Sequence, residues 1–251
     1  MKLISVLVAA FKAEQWLQDS IHSIKTQQLP AGWSLEILIG VDGCGKTLDL
    51  AKPMKNKQCR VISMTKNCGT YITFNTLMNY AQGDLICRFD ADDVMRSAYI
   101  YQLINCLEQG ADMAMSWSIY TDAELHPTSY VMAHTYNHPK GGLNKRGSEG
   151  QFVIKRSVWD LLGGFRSWVC GADTDFKKRA QSAGCDIRVV EKFLYYRRTH
   201  RGSLTAHPKT NFESKLRKQI DARAAILAQS YKNGEHPLMI EALTGTVDVI
   251  Y

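Results

Sequence analysis

No apolar run in this 251-residue chain approaches the roughly 18–20 residues that a membrane-spanning helix needs. C-x-x-C is absent, and the seven cysteines (Cys44, Cys59, Cys68, Cys87, Cys106, Cys170 and Cys185) are odd in number and scattered among apolar neighbours. That excludes a disulfide framework and a cysteine zinc site, and reduced thiols imply a cytoplasmic location. Internal repeats, low-complexity tracts and an obvious linker are also missing, so one domain is the simplest organisation. The start, "MKLISVLVAAFKA", has the lysine–apolar–small order of a secretory signal. An amphipathic helical pattern follows it at once, however, and its β-branched residues suit a buried first strand.

What is present is an alternation of strands and helices. Lys2–Ala10, Leu35–Val41, Arg60–Met64, Leu85–Phe89 and Met113–Tyr120 read as strands. Helical patterns fall at Glu14–Thr26, Thr70–Gln82 and Ala98–Glu108, with Trp16, Leu17, Ile21 and Ile24 on one face of the first and Ile72, Leu77 and Ala81 inward on the second. This order predicts an α/β fold with a mostly parallel sheet and helices on both faces. From Asp122 to Gly150 the composition is that of a long loop. Beyond it we expect a short strand (Gln151–Ile154), helices at Ser157–Leu162, Thr174–Ser182 and Phe212–Tyr231, a strand pair across Ile187–Arg198 and a short segment at Pro237–Leu243. The tail "TGTVDVIY" carries no pattern. Net charge is +7, and between Asp186 and Lys218 nine Lys/Arg stand against three Asp/Glu. Such an excess fits a solvated basic face or an acidic partner: a nucleotide diphosphate, an acidic glycan, nucleic acid or, peripherally, an anionic membrane surface.

"GVDGCGKT" (40–47) matches the phosphate-loop pattern G-x-x-x-x-G-K-[ST] letter for letter. Asp42 would sit inside that cradle and repel phosphate, and Pro53 cuts short the helix that should follow. The strand "LICRFD" ending in an aspartate is the one feature in favour of an NTPase or kinase. On the rival reading, Asp42 lies at the carboxyl end of a parallel strand, where ligands bind, and accepts hydrogen bonds from a nucleotide.

"FDADDVM" (89–95) is the strongest local signal. Alternate residues of an extended segment share a face, so Asp90 and Asp92 point the same way and can hold a hard divalent cation. A calcium loop is excluded, because its sixth position is Met95 and its twelfth is Tyr101. An acidic turn capping the next helix is the structural alternative.

Together with its surroundings, "NCGTYITFNTLMNYAQGDLICRFDADD" (67–93) resembles the family-2 glycosyltransferases of GT-A fold. Asn67, Gly69, Asn75, Ala81, Gly83, Asp84, Asp90, Asp92 and Asp93 all fall on that family's pattern. "ISVLVAAFKAEQWLQDSIHSIKTQ" resembles its first strand and helix, and "IGVDGCGKTL" its nucleotide-contacting aspartate. "GGFRSWVCGADTDFKKRAQSAG" (163–184) is similar to its Gly-Gly-Phe turn and Glu-Asp-x-Asp helix start, and "YYRRTHRGSLT" to its Tyr-Arg-x-His region. The likeness spans about residues 2–205. Two departures stand out: Ala10-Phe11-Lys12-Ala13 replaces Pro-x-Tyr-Asn, and Ala172 replaces the glutamate beside Asp173.

The resemblance implies a Rossmann-like GT-A domain with a nucleotide-sugar half at 1–121, an acceptor-binding and catalytic half at 122–205, and a C-terminal helical extension at 206–251. It implies inverting transfer from a UDP-sugar to an acceptor hydroxyl of a glycan. Asp92 and Asp90, with His200 as a third candidate ligand, would hold magnesium or manganese. Ala10, Asp42, Asn67, Gly69, Asn75, Asp90, Ala91, Arg197 and Arg201 would contact the donor. Asp173 would be the general base, although a helix-start aspartate is also an ordinary N-cap. Trp168 and Asp175 would meet the acceptor. A hydroxylated DNA base is the alternative acceptor, suggested by the basic stretch after Asp186. A GT-A-like module that binds glycans without turnover is a third class.

Overall fold

The computed structural model describes residues 1–133 and 150–251. The chain order is β1 (Lys2–Ala10), α1 (Leu17–Lys25), β2 (Trp33–Val41), α2 (Gly45–Ala51), β3 (Cys59–Met64), α3 (Thr70–Met78), β4 (Leu85–Asp90), β5 (Val94–Met95) and α4 (Tyr99–Glu108). Then come β6 (Met113–Thr121), β7 (Pro127–Val131), β8 (Phe152–Lys155), α5 (Arg156–Leu162), α6 (Ala172–Ser182), β9 (Ile187–Arg198), α7 (Lys215–Lys232) and β10 (Val247–Ile250). Among the described residues the strands form one sheet in the order β10-β3-β2-β1-β4-β8-β6-β9-β5, with β7 added on β6.

The first four core strands, β3-β2-β1-β4, are parallel, as expected. The second half is mixed: β8 runs antiparallel to β4 and β6, while β6 and β9 are parallel. Both sheet faces are covered. Val6, Val8, Ile37, Ile39, Cys87 and Phe89 pack with α1 and α4 residues such as Ile21 and Leu103. Leu7, Leu38, Ile62 and Ile86 pack with Phe74 and Leu77 of α3, Leu162 of α5 and Phe176 of α6. Each such side chain, fully buried, contributes roughly 1.5–3 kcal/mol. That is why the inner strands read as nearly continuous apolar runs.

Several boundaries differ from the sequence reading, each for a local reason. Helix α1 starts at Leu17 because Glu14 is held by the Thr47 hydroxyl at 2.6 Å. Helix α3 stops at Met78 because the carbonyls of Tyr80 and Ala81 accept from Arg60 and Arg156. Ile72 and Ala81 are only half-buried, whereas Leu77 is in the core. Helix α7 begins at Lys215, where the Ser214 hydroxyl caps Arg217 N–H at 3.1 Å. The expected strand pair is one strand, β9: its partner β6 continues across a bulge that skips Glu191 and Lys192.

Residues 122–133 of the expected loop contain β7, paired with β6, and 134–149 lie outside the described residues. The segment 237–243 forms neither helix nor strand, and the tail supplies β10 on the edge of β3. The C-terminal extension is therefore not purely helical. No helix among the described residues is long and apolar enough to cross a membrane.

Candidate active site

In the sheet, β1 lies between β2 and β4: the chain steps outward through β2 and β3 on one side and then crosses to β4 on the other. This is the crevice where an open α/β sheet receives a ligand. Ala10 pairs with Val41 and Ala9 with Asp90, so the ends of β1, β2 and β4 form one rim. Above it opens a cavity of 980 Å³, whose wall includes Ala10, Asp42, Asn67, Gly69, Asp90, Ala91, Asp92, Trp168, Asp173, Arg197 and His200. Most of the expected site residues, drawn from positions 10 to 200, thus converge. Asn75, Asp175 and Arg201 do not line it.

Asp42 is 2% exposed, and its carboxylate accepts from the backbone N–H groups of Cys68 at 2.7 Å and Gly69 at 2.9 Å. It therefore holds the loop that carries Asn67 to the rim. The Cys68 thiol also donates to it at 3.2 Å; burial and then that carboxylate push the thiol up to about 12, so it keeps its proton. Gly43 makes the approach possible: its φ is +63°, and a Cβ there would lie 2.2 Å from the Lys66 carbonyl carbon.

The phosphate-loop match dissolves in this geometry. Gly40 is inside β2, paired with Ala9 and Ile62, and a Cβ on it would meet Thr73 Cγ2 of α3 at 2.7 Å. Lys46 is exposed, and Thr47 is buried against Glu14 and the Ala13 N–H. Gly40 and Thr47 serve packing, and Gly45 is exposed with open space around it.

At the end of β4 the chain does not stay extended. It turns, with Asp93 N–H donating to the Asp90 carbonyl at 3.3 Å, and the Asp90 and Asp92 carboxylates meet different partners on the same cavity wall. Asp90 is met by Arg88 at 2.8 Å and by Gln151 at 2.9 Å. Burial raises its carboxyl above the ordinary aspartate value, with Arg88 opposing and Asp92 adding. Asp92 stands 3.0 Å from His200 Nε2, which lies beside the Trp16 ring. Asp93 is buried between Gln151 and the Arg198 N–H, and burial together with Asp92 and Asp90 drives its carboxyl well up.

Arg197 donates to the Tyr120 hydroxyl and to Thr205 Oγ1 at 3.4 Å. Arg198 stacks on Trp16 at 4.3 Å and pairs with Asp19. Among the described residues no group of three or more His, Cys, Asp or Glu gathers as a metal cage. Asp92, His200 and Asp90 are the side chains on this wall that could hold a divalent cation, with the rest of its shell left to phosphate and water.

Across the cavity, Asp173 sits in the first turn of α6 and makes no capping bond, since that helix is entered from Gly171 with φ +74°. Its carboxylate accepts from the Tyr71 hydroxyl at 2.6 Å. Burial pushes its carboxyl up, but Lys177, Arg88, the Tyr71 hydrogen bond and Arg217 outweigh that and hold it down to about 2.

Three expectations need correction. Asp175 is fully buried and ion-paired with Arg179 at 2.8 Å and Arg166 at 3.3 Å. Arg179 in turn ties the carbonyls of Leu162 and Gly164, so this pair anchors the Gly-Gly-Phe turn and does not face an acceptor. Asn75 holds both backbone groups of Phe165 at 2.9 Å, which makes it a strut from α3 to the same turn. Arg201 is exposed outside the cavity wall.

The site residues that sequence reasoning missed are Tyr71, Arg88, Gln151 and Arg217. An arginine in the middle of the apolar strand "LICRFD" was the one signal available, since a buried strand carries such a charge only with partners.

The sequence profile described as glycosyl transferase family 2 matches residues 5–170, well over half of the chain, and the chain belongs to that family. An uncharacterized glycosyltransferase of Haemophilus influenzae is 32% identical over 110 residues, covering 43% of this chain and 33% of that protein. The putative teichuronic acid biosynthesis glycosyltransferase TuaG of Bacillus subtilis is 27% identical over 95 residues, 36% of each chain. The matches therefore span about a third of the length of these relatives. Among solved structures, S. aureus TarS 1–349 in complex with UDP-GlcNAc superposes with a TM-score of 0.68 at 18% identity, over 81% of this chain and 60% of that one. The mannosyltransferase PcManGT from Pyrobaculum calidifontis, in complex with GDP-Man and Mn2+, gives a TM-score of 0.61 at 13% identity, over 80% and 59%. These likenesses identify the GT-A fold.

Proposed function

We propose that this chain transfers a sugar from a nucleotide diphosphate sugar, a UDP-sugar, to an acceptor hydroxyl with inversion at the anomeric carbon. The observation that carries it is the pairing, across one cavity, of the Asp90/Asp92/His200 cluster with Asp173, an ionised carboxylate half-open to the same space. Asn67 and the rim of Ala10 and Asp42 would receive the nucleoside; Asp42, already engaged by two backbone amides, acts mainly by placing that loop. Asp92 and His200, aided by Asp90, would hold magnesium or manganese, which when bound neutralises the diphosphate as it leaves. Arg197, half-buried on the cavity wall, adds positive charge on that side.

Asp173 takes the proton from the acceptor hydroxyl as its oxygen bonds to carbon. A carboxyl held down to about 2 is ionised at any working pH, and it becomes a competent base once the attacking oxygen turns acidic in the transition state. Trp168 offers an aromatic face at the acceptor end.

The DNA-base acceptor gains little support, because much of the basic stretch is spent internally. Arg188 pairs with Asp186 and Lys218 with Glu213, while Arg198 and Arg217 are buried. The test is a panel of UDP-sugars with manganese, comparing wild type with Asp173→Asn and Asp92→Asn. Asp173→Asn is expected to lose about 10²–10⁴ in transfer rate while still binding UDP; unimpaired transfer in both variants sinks the assignment.

A further inference from the structure

The far wall of the cavity holds a charge that the donor chemistry leaves unused. Arg217, in the first turn of α7, is 8% exposed and lines the cavity. Its Nε donates to the Thr210 carbonyl at 3.2 Å, and its plane lies over Phe212 at 5.4 Å. Those contacts lock the side chain, yet its two terminal nitrogens have no hydrogen-bond partner and no ion pair within 4.0 Å among the described residues. A Cβ on Gly171 would stand 3.6 Å from Nη1, so the guanidinium lies two residues from Asp173 along the chain, at the entry to α6.

Lys178, half-buried on the next turn of α6, lines the same wall and makes no ion pair there. The charges facing it are Asp173, whose carboxyl Arg217 helps to hold down, and the exposed Asp221; neither forms an ion pair with it. The side chain is held in place while its terminal nitrogens open into the cavity, where an anion can meet both. Its planar fork matches the paired oxygens of a carboxylate or phosphate. Position 217 also lies outside the segment matched by the family profile.

We propose that Arg217, assisted by Lys178, reads an oxyanion on the acceptor, so that the acceptor is an acidic sugar or a phosphate-bearing polyol presenting its hydroxyl to Asp173. This rests on the glycosyl-transfer reading above.

The experiment is tryptophan-fluorescence titration, using Trp168 beside the subsite, in saturating UDP and manganese. The probes are glucuronate against glucose and glycerol 3-phosphate against glycerol. At least one charged probe is expected to bind about tenfold or more tighter than its neutral twin, as a charge-assisted hydrogen bond allows. Preference for glucuronate identifies a carboxylate acceptor, and preference for glycerol 3-phosphate a phosphate one. Arg217→Gln should erase the preference. Because Arg217 also braces Thr210, Arg217→Lys and Lys178→Gln are run beside it, the first retaining part of the preference and the second weakening it. If neither charged probe outbinds its neutral twin while UDP still binds, the anionic acceptor is overturned and the donor reading stands. If UDP itself fails to bind, the donor reading falls first.

Discussion

Tyr71 shows how a single hydroxyl tunes the proposed base. It donates to Asp173 at 2.6 Å and helps hold that carboxyl down to about 2. Tyr71→Phe removes a bond that favours the ionised form, so the Asp173 pKa is expected to rise, measurable by carbon-13 NMR titration of labelled aspartate. The linkage to stability has a definite sign. A carboxyl lowered by folding contributes stability that is present above its unfolded value of about 4 and is lost as pH falls towards about 2. Wild type should therefore lose more stability than Asp173→Asn across that window, and acid-unfolding curves of equal slope would contradict the assignment.

Arg88 is the companion case. Burial opposes its charge, but Asp90, Tyr71, Asp173 and Asp93 more than offset this. Arg88→Met would leave Asp90 facing Gln151 without its cation and is expected to cost about 3–5 kcal/mol in chemical denaturation.

Among the secondary-structure elements, the contact of α3 with β2 decides the fate of the sequence "GVDGCGKT". Gly40 lets α3 lie against the strand, and Gly40→Ala must push on Thr73 and Leu77. An overpacking loss of about 1–3 kcal/mol is expected from the shift in Tm. Lys46→Ala, on an exposed side chain of α2, should leave UDP binding unchanged, whereas a phosphate loop would be disabled by it.

The Gly-Gly-Phe turn before α6 is held by Asn75 from α3 and by the Asp175–Arg179 pair. Helix α6 is therefore aimed by residues that never touch the cavity. Asp175→Asn is expected to lower stability by about 3–5 kcal/mol while leaving UDP affinity intact, as differential scanning fluorimetry with and without UDP would read.

For the molecule as a whole, a site gathered from positions 10 to 217 should couple ligand binding to global stability. UDP with manganese is expected to raise Tm more than UDP with EDTA, and ATP with magnesium to have little effect. Equal shifts with and without metal would remove the cation from the proposal.

The sequence by itself determined the parallel half of the sheet, because strands buried on both faces must be apolar throughout and helices show their period directly. It also determined the acidic residues at the strand ends, since residue types and spacing along one strand are local properties. Tertiary structure alone decided the rest. Exposed β7 and β10 are strands only because β6 and β3 offer them open edges, and β9 is continuous only because β6 bridges its bulge. Asp175 and Asn75 look like site residues in sequence, yet their long-range partners make them supports. Conversely, Arg217 reads as one more surface charge until the packing of α7 on α6 turns it into the cavity. Burial and partner choice for a polar side chain depend on contacts distant in sequence, and no local pattern encodes them.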